Sequence, residues 1–395
     1  MKLAFFVDQV FWFDGQVYSS DESYTLFPVS FRSAFDVVLI GRLAPEPGRK
    51  PYVLPDPAVT LCPLPYYPSV AAFWKQGPQL KREIRRLVAA QAHTWDVVLI
   101  CGPNPVGEYI ANLCLQLNRP VALVVRQNLV PQVRFANRGL KRIVGVAMAT
   151  WLEKRFQRLA RGRTVFAVGQ EMTAVYRTVT NHAHNHFACL IDEAQMAILA
   201  QATPQPQAKR LLFVGRLSAE KGLFYLLAAL AQLKAAGKCY PLDLVGSGPL
   251  ESALKTRVAE LGLADQVKFH GYVAYGAGLL QFYQKATALL APSLSGEGFP
   301  QVINEALAVG LPVIATRVGG IPAFLTHGET GLLLPPADAP ALARAIEQMM
   351  TDPGLRCRLC ENGRILMQAN TLEANRDQII NILKAEVLPR QAAVA

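Results

Sequence analysis

The stretch LLFVGRLSAEKGLFYLLAALAQLKAA, residues 211–236, decides the fold. It opens with four apolar residues, passes through a loop that contains two glycines, and continues as a segment rich in leucine and alanine. A short continuous apolar run is typical of a strand that is covered on both faces, as strands are in parallel sheets with crossover helices. The stretch therefore predicts one strand–loop–helix unit of an α/β domain.

The same pattern recurs on both sides of this stretch. The apolar runs after it are LDLVG (242–246), VKFHG (267–271), ALLAP (288–292) and PVIAT (312–316), followed by a hairpin-like GETGLLLPP (328–336). The runs before it are LAFFV (3–7), DVVLI (36–40 and again 96–100), VALVV (121–125) and TVFAV (164–168). Two doubly wound parallel sheets are predicted, one in each half of the chain.

A polar segment with two prolines, ATPQPQ (202–207), separates the two series of strands and is typical of a linker. We therefore predict a Rossmann-like N-terminal domain at residues 1–195, a linker at 196–208 and a second Rossmann-like domain at 209–371. The last helical stretch, residues 372–395, has no strand after it. We expect it to pack back on the first domain.

Composition places the chain in a broad class. It has 395 residues, of which 51% are hydrophobic, and seven scattered cysteines, an odd number that suits reduced thiols better than a disulfide framework. The N-terminal residues have the pattern of a buried first strand rather than of a signal peptide, and the apolar stretch 143–152 is too short to span a membrane. A cytoplasmic location is the expectation, with peripheral association at the cytoplasmic face of the membrane as an alternative.

The net charge of +11 favours an anionic partner, and the excess lies in residues 1–200, with 22 Lys and Arg against 14 Asp and Glu. Residues 134–163 contain nine cations and one acid, Glu153, between apolar residues. This pattern is compatible with a helix on an anionic membrane, or with a crossover helix whose basic face is solvated. A nucleic-acid partner is not expected, because stacking aromatics and a known binding motif are lacking.

Polar residues follow the predicted strands of the second half at the edge where parallel sheets bind ligands. Arg216 and Lys221 flank the turn after the strand at 211–215, and Gly248 follows the strand at 242–246. A guanidinium fork and an ammonium near helix N-terminal amides would suit two adjacent phosphates. The alternative is a solvated basic loop, and a glycine-rich turn alone is weak evidence.

The stretch SGEGFPQVINEA, residues 295–306, holds a carboxylate on each side of a helix start at Pro300. Glu305 could accept hydrogen bonds from two vicinal hydroxyls, and Glu297 could reach a second hydroxyl pair. The alternatives are a surface glutamate for Glu305 and a dipole-favoured acid at the helix N-terminus for Glu297.

Four segments in this order and spacing resemble the C-terminal domain of the retaining glycosyltransferases of family 4: GRLSAEKG, GSGPLE, SGEGFPQVINEA and RVGGIPAFLTHGETGLLLPP. The resemblance is specific over residues 209–340, whereas over the first half it depends on strand order only. It implies the GT-B fold, in which two Rossmann-like doubly wound domains face a central cleft. The N-terminal domain would bind the acceptor, and the C-terminal domain would bind the nucleotide sugar.

The resemblance also implies residue roles. Arg216 and Lys221 would bind the donor diphosphate, and Glu305 the nucleotide ribose. Glu297 would contact the transferred sugar with the backbone of Gly298 and Phe299, next to Pro300. Tyr272 and Val273 resemble the nucleobase-contacting edge. Glu297, Arg216 and Lys221 are the catalytic candidates.

The chain departs from the family pattern mainly on the acceptor side. The segment 319–323 ends in Ala323 where the family has an acid, Phe13-Asp14-Gly15-Gln16 replaces a Gly-Gly loop, and Arg126-Gln127-Asn128 replaces a histidine. Gly15, Arg126, Gln127 and Asn128 are therefore the acceptor candidates. Three histidines at 182, 184 and 186 could share one face of a strand, but no acid or cysteine with ligand spacing accompanies them, so no metal site is expected.

The resulting hypothesis is a hexosyltransferase that moves a sugar with retention from a UDP- or GDP-sugar to a glycan, lipid-linked or small-molecule acceptor in polysaccharide, glycolipid or natural-product assembly. Neither a cofactor nor a divalent metal is expected, because Arg216, Lys221 and helix amides can stabilise the leaving diphosphate. The alternatives are a nucleotide-sugar epimerase or hydrolase on the same fold, and a non-catalytic subunit that binds the sugar nucleotide.

Overall fold

The computed structural model describes residues 1–55, 57–69, 72–73, 77–126, 128–136, 139–187, 189–201, 209–295 and 300–389. These residues form two compact units. Unit 1 comprises the described residues of Met1–Arg126, Ala147–Leu190 and Leu372–Ala395, and unit 2 those of Gln127–Val146 and Ile191–Thr371. Each unit is built on a mainly parallel sheet with helices, so the α/β class and the two Rossmann-like units predicted from the apolar runs are confirmed.

Unit 1 contains a nine-stranded sheet. Its strands are β1 (Lys2–Phe13), β2 (Tyr18–Ser20), β3 (Asp36–Leu43), β4 (Tyr52–Val53), β5 (Val59–Leu64), β6 (Val97–Gly102), β7 (Val121–Val125), β8 (Val165–Val168) and β9 (Ala183–His186). The parallel part has the order β5-β3-β1-β6-β7-β8-β9, and β2 and β4 add antiparallel pairs at the far end of β1. The order in which strands are added to the sheet reverses between β1 and β6, because β3 and β5 lie on one side of β1 and β6 to β9 lie on the other.

Unit 2 contains a six-stranded sheet of the order β12-β11-β10-β13-β14-β15, in which every pair is parallel. Its strands are β10 (Leu211–Val214), β11 (Leu242–Val245), β12 (Val267–Gly271), β13 (Ala288–Ala291), β14 (Val313–Thr316) and β15 (Leu332–Leu334). The hairpin predicted at 328–336 is therefore wrong, because Leu332–Leu334 pairs in parallel with β14. The strand order reverses between β10 and β13, because β11 and β12 lie on one side of β10 and β13 to β15 lie on the other.

The helices connect these strands. They are α1 (Leu26–Ser30), α2 (Gly77–Gln91), α3 (Pro105–Gln116), α4 (Leu129–Ala136), α5 (Gly139–Ala160), α6 (Gln170–Arg177), α7 (Glu193–Gln201), α8 (Leu223–Ala235), α9 (Glu251–Glu260), α10 (Ala277–Lys285), α11 (Gln301–Ala308), α12 (Ile321–Phe324), α13 (Ala339–Thr351), α14 (Pro353–Gln368) and α15 (Leu372–Ile382). Residues 196–201, assigned to a linker on sequence grounds, are part of α7, and 202–208 lie outside the described residues. None of the described helices is long and apolar enough to cross a bilayer.

Each sheet is buried because its strands are apolar on both faces. In unit 1 the strand residues alternate between two clusters, so that Phe6 packs with α2 and α3 while Phe5 packs on the other side with α1 and α15. Ile379 of α15 and Leu383 of the π-helical turn Leu383–Val387 are fully buried in this second cluster. The C-terminal helix is therefore part of the core of unit 1.

Candidate functional site

The reversal of strand order in unit 2 identifies the edge at which a ligand can bind. In open parallel sheets, a crevice opens at the carboxyl ends of the two strands that flank such a reversal. In unit 2 these strands are β10 and β13. The loop 215–222 follows β10, and the loop after β13 leads to α11. Both loops carry the residues that the sequence singled out.

Backbone hydrogen bonds join the loops that follow β10, β11 and β12. The N–H groups of Gly215, Leu217 and Gly246 donate to the carbonyls of Val245, Ser247 and Gly271, at 3.0, 3.0 and 2.7 Å. The first residue after β11, Gly246, has a φ of 137°, and a Cβ there would lie 1.9 Å from the carbonyl oxygen of Gly215. Only glycine therefore permits this contact between the loops.

The loops on the two sides of the reversal are also joined. The N–H of Leu294, after β13, donates to the carbonyl of Glu220 at 2.7 Å. Gly222 has a φ of 69°, and a Cβ on it would lie 2.0 Å from the carbonyl oxygen of Pro292. Gly248 is equally close-packed, since its Cβ would lie 2.5 Å from the Leu217 oxygen. The edge of the sheet is thus a fixed backbone surface.

The two predicted cations lie on this surface. Arg216 is exposed directly after β10, and Lys221 is half-buried at the end of the 3₁₀ turn Ala219–Lys221. Helix α8 begins two residues later, at Leu223, after the left-handed Gly222. A 13-residue helix directs its free N–H groups toward this edge, where they and the cations favour an anion. The arrangement suits phosphate groups.

Glu305 lies in α11 and is buried, with 8% of its surface exposed. The hydroxyl of Tyr283, from α10, donates a hydrogen bond of 2.5 Å to its carboxylate. Burial raises the pKa of Glu305 from 4.5 to about 7, against the opposing effect of the Tyr283 hydrogen bond. The alternative of a surface glutamate is therefore wrong. Burial of an ionisable carboxyl group costs folding free energy, so a buried glutamate near the carboxyl ends of the strands is a functional-site candidate.

Two further residues of this region were not found from the sequence. Tyr283 is 22 residues from Glu305, and nothing in the local pattern of α10 distinguishes it from a core tyrosine. Asn304 is 1% exposed, and its Oδ1 has no hydrogen-bond partner among the described residues. In the sequence, its position next to Glu305 in the SGEGFPQVINEA segment was the feature that could have indicated Asn304.

The other donor candidates are distributed around the same edge. Pro300 occupies the N-cap position of α11. Tyr272, 72% exposed, and the half-buried Val273 follow β12, the edge strand of the sheet. Glu297, Gly298 and Phe299 lie outside the described residues.

The acceptor candidates lie in unit 1 and in the segment after β7. Strand β1 extends to Phe13, so Gly15, with a φ of 96°, lies in a β-hairpin turn rather than in a strand-to-helix loop. The guanidinium carbon of Arg126 lies 3.5 Å from the ring centroid of Tyr24. Asn128 accepts a hydrogen bond from the Val130 N–H at 3.0 Å, at the start of α4. Gln127 lies outside the described residues.

A polar cluster that the sequence did not predict lies where β1 and β6 diverge in unit 1. The Asp8 carboxylate accepts hydrogen bonds from the Tyr67 hydroxyl and the Asn104 amide, each at 2.7 Å, and pairs with Arg42 at 3.0 Å. Asn104 also caps α3 by accepting from the Val106 N–H at 2.8 Å. The signal was Asp8 itself, which interrupts an apolar strand.

The three histidines at 182, 184 and 186, in and just before β9, are used within the fold. His182 and His184 both contact the carboxylate of Glu386, at 3.1 and 3.0 Å, whereas His186 is buried and stacks on Phe27. Within the described part of the chain, no three His, Cys, Asp or Glu side chains are grouped so that they could hold a metal ion.

Comparison with known proteins relates part of the chain to a known family. Residues 196–366 match the family described as glycosyl transferases group 1. The amylovoran biosynthesis glycosyltransferase AmsK of Erwinia amylovora is 39% identical over 142 residues, 35% of each chain. The alpha-D-kanosaminyltransferase of Streptomyces kanamyceticus is 30% identical over 203 residues, 51% of this chain and 52% of that one. These matches span between a third and about half of the length of the relatives.

Solved structures resemble nearly the whole chain. Sucrose-phosphate synthase from Thermosynechococcus elongatus has a TM-score of 0.72 at 23% identity and covers 98% of both chains. HepE of Anabaena, in complex with UDP, has a TM-score of 0.69 at 18% identity and covers 98% of this chain and all of its own. The chain therefore has the GT-B fold, and the match to the group 1 glycosyl transferases covers its residues 196–366.

Proposed function

We propose that the chain is a retaining hexosyltransferase that transfers a sugar from a nucleoside-diphosphate sugar, a UDP- or GDP-sugar, to a glycan, lipid-linked or small-molecule acceptor. The observation that carries this proposal is the buried Glu305 beside the closed strand-end loops of unit 2. Its carboxylate has lone pairs left over after the Tyr283 hydrogen bond, and vicinal ribose hydroxyls supply donors at the required spacing.

The neighbouring cations supply the other half of donor recognition. In this proposal Arg216, Lys221 and the first amides of α8 bind the diphosphate, and Tyr272 and Val273 border the base. Gly248 and Gly222 allow the backbone to approach closely, which a side chain would prevent. Pro300 starts the helix that presents Glu305, and Glu297, Gly298 and Phe299 contact the transferred sugar.

The same groups act in the chemical step. When the bond between the anomeric carbon and the phosphate breaks, negative charge grows on the departing diphosphate. Preorganised cations and helix amides stabilise that charge, so we propose that transfer needs neither a divalent metal nor a cofactor. A charge-assisted hydrogen bond is worth about 1.5–3 kcal/mol, so removing one such contact should slow transfer by roughly 10- to 150-fold.

Two relatives support the substrate classes. HepE of Anabaena was solved with UDP and with UDP-glucose, which supports a nucleotide-sugar donor here. AmsK belongs to amylovoran biosynthesis, which supports an acceptor in polysaccharide assembly. We propose that the acceptor binds unit 1 near Arg126, at the carboxyl ends of its strands, with Gly15 in the β1–β2 turn; Asn128, the other described candidate after β7, belongs to unit 2.

Isothermal titration with UDP, GDP, ADP and dTDP in the presence of EDTA tests the donor site. We expect micromolar binding of one nucleotide, and Lys221→Ala should weaken that binding by at least about tenfold. Lys285→Ala is the matched control, because Lys285 is an exposed lysine at the C-terminal end of α10, which leads into the amino end of β13 and not into the strand-end loops. Equal affinities for the wild type and Lys221→Ala, or no binding at all, would contradict the proposal.

Activity then separates transfer from the alternatives. The nucleotide that binds selects the sugar donors, and transfer to saccharide or lipid-linked acceptors is followed by NMR of the new glycosidic bond. An α-linked donor that gives an α-linked product demonstrates retention. Release of free sugar, or an epimerised donor, without an acceptor would instead identify a hydrolase or an epimerase.

A further inference from the structure

A cavity of about 550 Å³ lies in unit 2 at the amino ends of the strands. Its floor is formed by residues 286–287, directly before β13, and by residues 310–312, directly before β14. The loop with Arg216 and Lys221 follows the carboxyl end of β10, and a four-residue parallel strand is about 13 Å long. The cavity is therefore separate from the candidate donor site, and its volume is within the roughly 300–1,000 Å³ of small-molecule sites.

One face of helix α14 forms the wall of the cavity. The lining side chains recur every third or fourth residue and so lie on one side of the helix: Arg356, Cys357, Cys360, Glu361, Arg364 and Ile365. An adjacent face of the same helix is buried in the core of unit 2 through Leu355 and Leu359. The helix is thus fixed by packing on one side and presents a mixed polar and apolar side to the cavity.

The thiols of the wall add to its apolar character. Burial raises the pKa of the Cys360 thiol to about 11, and the positive charges of Arg364 and Arg356 act against this increase. The thiol is therefore neutral near pH 7 and packs as a small apolar group. With Leu311 and Ile365, it provides a surface for hydrocarbon between the two arginines.

Two polar groups of the lining have unused hydrogen-bonding capacity. Thr287 is 6% exposed, and its hydroxyl oxygen has no hydrogen-bond partner among the described residues. Nη2 of Arg364 donates to the Val309 carbonyl at 3.2 Å, but the buried Nε of Arg364 has no partner in the same part of the chain. Buried polar groups are nearly always paired in folded proteins, so two of them on the lining of one cavity indicate a bound polar group.

The charges of the lining favour an anion. Arg356 and Arg364 contribute two permanent positive charges, whereas Glu361, which is exposed, contributes one negative charge. A guanidinium donates from a planar fork that matches a carboxylate or a phosphate. A molecule with an apolar body and one such group therefore satisfies both the charge and the apolar wall.

The floor of the cavity is continuous with the two helices that carry the hydrogen bond between Tyr283 and Glu305. Helix α10 ends immediately before the floor begins, and α11 is followed by its C-cap Val309 and then by Gly310. The Arg364 guanidinium lies over Gly310, where a Cβ would be 2.8 Å from the guanidinium carbon. A ligand bound to Arg364 would thus contact the segments at which both helices end.

We propose that this cavity is an effector site for a small amphipathic monoanion, an apolar body with one carboxylate or phosphate group, whose binding changes the affinity of unit 2 for the nucleotide. Arg364 pairs with the anionic group, Arg356 adds to the positive potential, and Thr287 supplies a hydroxyl. The effect on the nucleotide rests on the proposed donor site, whereas binding of the anion does not.

Octanoate and octyl phosphate distinguish the two anionic groups, with octan-1-ol and octylamine as the uncharged and cationic analogues. Binding to the full chain is measured by isothermal titration and by alkylation of cysteines followed by peptide mass spectrometry. Cys357 is exposed and lines the cavity, whereas Cys239, also exposed, is the control thiol. At ten times its Kd, the preferred anion should slow alkylation of Cys357 about tenfold and leave Cys239 unaffected. The alcohol and the amine should bind at least about tenfold more weakly.

Two variants of α14 test the anionic contact. Arg364→Gln should weaken binding of the anion by at least about tenfold. Arg358→Gln is the matched control, because Arg358 is an exposed arginine of the same helix outside the lining, and should leave binding unchanged. Since Arg364 also contacts the end of α11, protection of Cys357 in the wild type is the measurement that does not depend on this variant.

Reciprocal titrations test the effector role. Saturating anion should change the affinity for the preferred nucleotide by at least about fivefold, and saturating nucleotide should change the affinity for the anion by the same factor. Unchanged affinities would overturn this role. Binding of the anion by a chain that binds no nucleotide would instead contradict the donor site, and with it the effector role, while the cavity would remain a ligand site.

Three other results would overturn the ligand site itself. These are equal binding of all four octyl compounds, unchanged alkylation of Cys357 in the presence of either anion, and wild-type affinity in Arg364→Gln. Self-association in analytical ultracentrifugation that Ile365→Gln abolishes would assign the cavity to a second copy of the chain and would also overturn the proposal, since Ile365 is a lining residue that is 59% exposed.

Discussion

Replacing Glu305 by glutamine should stabilise unit 2 while it weakens nucleotide binding. The amide keeps the volume and can still accept the Tyr283 hydrogen bond, but it carries no charge. Raising the pKa of a carboxyl from 4.5 to about 7 corresponds to roughly 3 kcal/mol lost from folding when the group is ionised. Glu305→Gln removes this penalty, apart from the cost of burying the new amide.

The effect has a defined dependence on pH. Because the pKa is raised in the folded state, the folded protein binds more protons than the unfolded chain between pH 4.5 and about 7, and wild-type stability falls as pH rises through that window. The penalty is about 1 kcal/mol at pH 5 and about 3 kcal/mol at pH 8. The advantage of Glu305→Gln over the wild type should therefore grow by about 2 kcal/mol between these pH values.

Hydrogen exchange is the suitable assay, since all four tryptophans (12, 74, 95 and 151) lie in the first half of the chain and report poorly on unit 2. Protection of peptides from α10 and α11 is compared at pH 5 and pH 8, with Glu329→Gln, an exposed carboxyl of the same unit, as the control. An advantage that is absent, or that does not change with pH, would refute the assigned pKa. Saturating nucleotide should protect the wild type more than Glu305→Gln.

Two further predictions concern the framework. Gly246→Ala should destabilise unit 2 by more than about 2 kcal/mol, as measured by hydrogen exchange, because its Cβ would lie 1.9 Å from the Gly215 carbonyl oxygen. The control Gly278→Ala, whose Cβ would lie in open space on α10, should leave the stability of unit 2 unchanged. Burial lowers the pKa of His186 to about 4, so unit 1 should lose up to about 3 kcal/mol of stability as the pH falls from 6.5 to 4. The variant His186→Leu should lose less stability over the same pH range, as measured by denaturant unfolding followed by tryptophan emission. Equal losses in the wild type and the variant would contradict the burial argument.

Most of the fold could be predicted from the sequence because buried parallel strands must be continuous apolar runs. The runs at 121–125 and 267–271 coincide with β7 and β12, and the others differ at their ends. The largest difference is β1, which extends to Phe13 through a register shift between Phe6 and Val10. That irregularity depends on pairing with β3, and local pattern does not contain it.

The strand-end loops of unit 2 were more predictable from the sequence than the side-chain contacts, for a physical reason. Loops such as 215–222 require glycines at left-handed or sterically closed positions, and those glycines are visible in a sequence. Side-chain partners from distant elements are not visible, and so Tyr283 and the cluster around Asp8 were missed. The cavity beside α14 was hidden as well, because its lining combines this helix with the segments that precede β13 and β14.

A comparison of the half-buried Asp8 with the buried Glu305 shows which of these two carboxylates is available to a ligand. Both lie near the strand-order reversal of their sheet, but Asp8 is satisfied by Tyr67, Asn104 and Arg42. For Glu305, Tyr283 is the one donor that the described residues provide, and a carboxylate can accept about four hydrogen bonds. Asp8 therefore fixes the fold of unit 1, whereas Glu305 retains the capacity that a hydroxyl-bearing ligand would use.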